Sequence, residues 1–136
     1  GTGNAVIPKS PDIMENTTTL YDLTFLNKFT KGDPEKVERY VQTYLRTSER
    51  IFNELEDAGR QGSWEDAYTK AHTVKPQVQY MGIDSLLKII MEIEHKAKNE
   101  PGSANLAELV GNAMELYNRS ANELRSYLQD LSKDAH

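Results

Sequence analysis

From Leu106 to Leu131 apolar side chains return every three or four residues: Leu106, Leu109, Val110, Ala113, Met114, Tyr117, Ala121, Leu124, Leu128 and Leu131. That period fits an α-helix with one buried face, because a half-buried strand would hide every second residue instead. A helix of this length cannot cover its own stripe. It needs companions with apolar stripes of similar reach.

The rest of the chain supplies them. Asp33-Pro34 offers an N-cap followed by proline at the first helical position, where its missing N–H costs nothing. From there Val37, Tyr40, Val41, Tyr44, Leu45, Ile51, Phe52 and Leu55 keep a helical step until Gly59 and Gly62. Ser63, with Asp66 three residues on, resembles a capping box and opens a helix through Trp64, Ala67, Tyr68, Ala71, Val74 and Val78 to Met81, with Gly82 ending it. From Ile83, the stripe Leu86, Ile90, Ile93, Ala97 predicts another helix, stopped by Asn99-Glu100-Pro101-Gly102, and Ser103 is expected to cap the last. Thr24 before Phe25-Leu26-Asn27-Lys28-Phe29, closed by Lys31-Gly32, predicts a short covering helix. No alternating strand pattern competes. The expected fold is all-α: an antiparallel up-down four-helix bundle with a short additional N-terminal helix. Residues 1–19, which begin with Gly and are rich in Gly, Pro, Ser, Thr and Asn, are expected to be a trimmed, mobile leader, and 20–136 one bundle domain.

Composition removes several classes of function. The chain lacks cysteine, so thiol nucleophiles, disulfides and Cys-ligated metals are out. Its net charge of -5 leaves no basic stripe for nucleic acid. Trp64 and the seven tyrosines do not form the basic, aromatic-studded platform on which nucleic-acid bases stack, and read as packing. No segment has the apolar length of a membrane span, and the opening residues lack a secretion signal, so a cytoplasmic location is expected and the sequons at Asn16 and Asn118 carry no weight.

Chemistry concentrates in Ala71-His72-Thr73-Val74-Lys75-Pro76-Gln77-Val78-Gln79-Tyr80-Met81-Gly82. On a helix, the arc Trp64, Ala67, Ala71, Val74, Val78 leaves His72 about 120° from its centre, facing water. Lys75 and Gln79, three and seven residues on, share that side. A phosphoryl acceptor needs a neutral nitrogen nucleophile, access for a partner and nearby positive charge, and His72 with Lys75 meets those needs. Pro76 removes the hydrogen bond to the carbonyl of His72 and should kink the helix slightly. An ordinary solvated histidine would show the same spacing.

The longer pattern separates the two. The run His72-Thr-Val-Lys75-Pro76-Gln-Val-Gln-Tyr-Met-Gly82 resembles the signature of histidine-containing phosphotransfer (HPt) domains, with Lys three and Gly ten residues after the His. The resemblance extends over about residues 20–100, including the Gly-Asp-Pro-Glu entry to the long helix and Gly62-Ser63-Trp64. Pro76 departs from it, standing where many members have a glycine that lets the receiver approach; this bears on docking, not on the histidine. The resemblance implies a four-helix bundle with a small extra helix and reversible phosphoryl exchange between His72 and an aspartate of a response-regulator receiver domain. It also implies a role for Glu94. The helical wheel puts Glu94 within about 80° of Leu86, among apolar neighbours. Family members carry an acid or amide at the matching place facing the histidine, so Glu94 would accept from His72 Nδ1 and leave Nε2 to be phosphorylated. A Glu94 turned to solvent fits the wheel equally well.

The expected site is therefore His72, with Lys75 offsetting phosphate charge and Gln79 or Glu94 holding the ring; Lys98 is a weaker candidate for screening phosphate. No cofactor is expected in this chain, and Mg2+ would come with the receiver. The expected partners are a receiver domain or a hybrid histidine kinase, and the chain, a phosphocarrier more than a free-standing enzyme, is expected to be a monomer. A helical adaptor that never carries phosphate is the rival. Glu92-Ile93-Glu94-His95 contains a Glu-x-x-His step, but no second copy exists to complete a di-iron site. His136, at the terminus, is expected to play no part.

Overall fold

Asp33 fixes where the first long helix begins. In a computed structural model that describes residues 19–134, the Asp33 carboxylate accepts from the backbone N–H groups of Glu35 and Lys36 at 3.0 and 3.4 Å. Helix α2 then runs Pro34–Gln61 and closes on Gly62 in the left-handed conformation. Ser63 accepts from the Asp66 N–H at 3.3 Å and starts α3, Trp64–Tyr80, so two residues suffice to reverse the chain. Gly82 (φ +63°) turns it into α4, Asp84–Asn99. Helix α5 is Leu106–Asp134. Its cap differs from expectation: Asn105, not Ser103, accepts from the Glu108 N–H at 3.1 Å, while the Ser103 N–H closes a turn on Glu100. The first apolar anchor of α5, Leu106, is buried, and the cap is the polar residue immediately before it.

Helix α2 packs on α3 and α5, α3 on α4, and α4 on α5, closing a four-helix ring in which sequential helices are neighbours. The connections are short, so the bundle is antiparallel and up-down, and the described residues contain no strand. Val41, Phe52, Leu55, Val74, Val78, Leu86, Ile90, Ile93 and Leu124 fill its centre with no exposure. Phe52 stacks on Tyr117 at 4.1 Å between ring centroids.

Helices α2 and α5, at 28 and 29 residues, overshoot α3 and α4, at 17 and 16, by roughly 15–20 Å. The short helix α1, Thr24–Phe29, covers that step with Leu23 and Leu26. Thr24 is its first helical residue, not its cap; Asp22 Oδ1 accepts from the Thr24 N–H at 2.9 Å and from its hydroxyl at 2.6 Å. Residues before α1 tie the bundle ends together, with the Leu20 N–H donating to Glu123 at 2.7 Å and the Asp22 N–H to the Met81 carbonyl at 3.1 Å. Tyr40, expected in the buried stripe, is 45% exposed and meets Phe29 edge-on, because the overhang leaves it beyond the end of α3. Residues 1–18, which make up most of the expected leader and include Asn16, lie outside the described residues, as does His136. Among the described residues no helix is long and apolar enough to cross a membrane.

Candidate functional site

Helix α3 presents two faces of different character. Ala67, Ala71, Val74 and Val78 are fully buried where α3 packs on α2 and α4. His72 follows Ala71 by one helical step, so its side chain lies outside the core and is 60% exposed. Across the interface, Ile93 points inward with no exposure, and Glu94, one step round, lands at the seam with its side chain 14% exposed.

There Glu94 Oε2 lies 2.5 Å from His72 Nδ1, and Oε1 accepts from Lys75 Nζ at 2.7 Å. Burial pushes the Glu94 carboxyl up, but the hydrogen bonds and charges of Lys75 and His72 outweigh it and hold the group below the usual carboxylate range. An ionised carboxylate has no hydrogen to give, so the shared proton belongs to Nδ1, and the neutral imidazole keeps its lone pair on Nε2. The carboxylate selects the tautomer.

The other predicted residues are placed as follows. Lys75 is one-third exposed and meets the ring through Glu94. Gln79 is exposed and lines a surface groove with Phe25, Pro76 and Tyr80. Seven residues of helix separate it from His72 by about 10 Å of rise, and the ring's hydrogen-bond partner among the described residues is Glu94. Lys98 lines one cleft of about 410 Å³ with His72, Tyr68, Met91, Glu94 and His95. His95 is 67% exposed on its side chain, and the Asn99 amide lies 3.1 Å from its Nδ1. Among the described residues no group of three or more His, Cys, Asp or Glu side chains is placed to hold a metal ion. Helix α3 runs unbroken through Pro76, which leaves the His72 carbonyl without its usual helical donor.

Two features escaped the sequence reading. Tyr68, one turn before His72, stacks on the imidazole at 5.7 Å between centroids and 11° between planes. Its position four residues upstream was the available signal. Further along α3, Tyr80 joins Phe25, Phe29 and Tyr40 in a continuous exposed aromatic surface, with Phe25 and Tyr80 at 5.3 Å.

The family model described as Hpt domain matches residues 39–134. Among solved structures the chain is similar to histidine-containing phosphotransfer protein B (HptB) from Pseudomonas aeruginosa PAO1, at a TM-score of 0.73 and 17% identity, over 84% of this chain and 98% of that one. At that identity the likeness is one of fold. No curated protein matches the sequence.

Proposed function

The chain belongs to the Hpt domain family, and from that premise we propose that His72 is the histidine through which it carries phosphate. Membership makes it a histidine phosphocarrier of a phosphorelay, working with response regulators or kinases. The choice of His72 rests on one observation: a ring 60% exposed whose Nδ1 is engaged by Glu94, leaving Nε2 toward solvent.

The chemistry follows from that tautomer. The Nε2 lone pair attacks phosphorus of a receiver's aspartyl phosphate, the N–P bond forms as the P–O bond breaks, and the aspartate leaves with the electron pair. No proton has to move. The ring, still carrying Nδ1–H, becomes a cation, and Glu94 is the counter-charge already in place. The reverse reaction returns the phosphoryl group by the same path. Lys75 keeps Glu94 ionised, and Lys98, on the same cleft as His72, offsets charge on the phosphoryl oxygens. Mg2+ would be brought by the receiver. The receiver would dock over His72, half-exposed Met91 and the aromatic surface that includes Tyr80. A cytoplasmic location and a monomer complete the proposal.

Incubation with a panel of phosphorylated receivers tests it. Acid-labile, alkali-stable label that disappears in His72→Gln is the expected result. A correctly folded chain that takes no label from any receiver or kinase would return the bundle to the adaptor role.

A further inference from the structure

We propose that Tyr68 is a positioning residue for the phosphorylated ring, and that it stabilises the cation formed when His72 takes phosphate. The proposal rests on His72 being the carrier. Glu94 fixes one atom of the imidazole, but a carboxylate oxygen accepts over a broad range of directions and does not by itself fix the plane of the ring. The Tyr68 ring lies nearly parallel to it, 11° between planes and 5.7 Å between centroids, which is an offset stack. With Nδ1 held at the edge and the Tyr68 ring lying alongside in a near-parallel plane, the direction of the Nε2 lone pair is set before a partner arrives.

The stack also changes strength during the reaction. Before transfer the imidazole is neutral; afterwards the ring bears a positive charge and still faces the electron-rich surface of the phenol. Attraction of a cation to an aromatic face at a partly exposed site corresponds to about a threefold to tenfold shift in an equilibrium constant. Tyr68 is half-buried and so partly screened from water on its own side. Phosphoryl equilibrium between His72 and a receiver is therefore drawn toward His72, and loss of the phosphoryl group to water, which discharges that cation, is slowed. None of this needs the Tyr68 hydroxyl, which makes the claim separable from hydrogen bonding.

Two variants isolate the aromatic face: Tyr68→Phe keeps it, and Tyr68→Leu keeps comparable bulk and helix preference without it. In the unphosphorylated chain, the carbon-bound ring protons of His72 should move in the nuclear magnetic resonance spectrum of Tyr68→Leu, as the ring current disappears, and hold their place in Tyr68→Phe. With a phosphorylated receiver, Tyr68→Leu should shift the equilibrium about three- to tenfold toward the receiver and shorten the phosphohistidine lifetime, with Tyr68→Phe near wild type. Unmoved ring protons in Tyr68→Leu overturn the stack. Moved protons with equilibrium and lifetime within twofold of wild type overturn its effect on the phosphorylated ring. If wild type itself takes no phosphate from receivers or from phosphoramidate, the carrier reading fails and takes this role with it; competence in wild type keeps the two failures apart.

Discussion

Replacing Glu94 by glutamine is the sharpest perturbation of the site, because it removes one charge and almost no volume. In the native arrangement both oxygens are used, Oε2 at 2.5 Å from His72 Nδ1 and Oε1 at 2.7 Å from Lys75 Nζ. A hydrogen bond to an ionised acceptor is worth roughly 1.5–3 kcal/mol, against roughly 0.5–1.5 kcal/mol for a neutral pair, so losing the charge costs the imidazolium product about 1–1.5 kcal/mol. That converts to roughly five- to twelvefold in the equilibrium for phosphoryl transfer to His72. A second effect adds to the rate. Glutamine has one acceptor atom for two donors, and when its NH2 faces Nδ1 the ring must place its proton on Nε2, which removes the nucleophile. Transfer from a labelled receiver to Glu94→Gln should therefore slow at least about tenfold, and side-chain ¹⁵N spectra should show Nε2–H rising. A rate within twofold of wild type, with the Nδ1–H tautomer intact, would refute the argument that the carboxylate prepares the ring.

The same carboxylate links stability to pH. Its folded pKa lies below the ordinary value of 4.5, so its ion pair with Lys75 contributes fully above about pH 4.5 and is lost as pH falls through the folded value; the stability difference between wild type and Glu94→Gln in denaturant titrations should shrink as pH falls below about 4.5. Gln79→Ala should leave transfer within twofold of wild type, since Gln79 stands about 10 Å along the helix from His72; a tenfold loss in the receiver assay would give Gln79 a contact that the resting geometry lacks. Gly82→Ala should lower thermal stability by about 1–2 kcal/mol or more, because Gly82 is left-handed and an added Cβ would fall 2.1 Å from the Asp22 carbonyl oxygen. Faster hydrogen exchange at the Leu20 amide should accompany it, and an unchanged melting temperature would contradict the close approach.

The bundle was legible because each helix writes its buried face as a local period, and Asp33, Gly62 and Ser63 mark ends through their own hydrogen bonds. Tyr40 shows where that logic stops. Its place in the period is sound, yet whether anything covers it depends on where α3 ends, which is a property of another segment. His72 was legible for the same local reason, as a residue one step off a stripe of buried alanine and valine. Gln79 shares its angular side, but a helical wheel discards axial distance, and about 10 Å of rise decides that Gln79 does not touch the ring. Glu94 is the instructive case. Its own helix allowed it to face either the imidazole or solvent, and only resemblance to a family favoured the ring. What decides between them is the register of α3 against α4, a pairing of two segments that no wheel records. The carboxylate then has an ammonium and an imidazole within reach, and their attraction outweighs the cost of its burial. The site is a consequence of packing: α3 and α4 meet along one seam, and the carboxylate left there finds an ammonium and one nitrogen of the His72 ring as its partners.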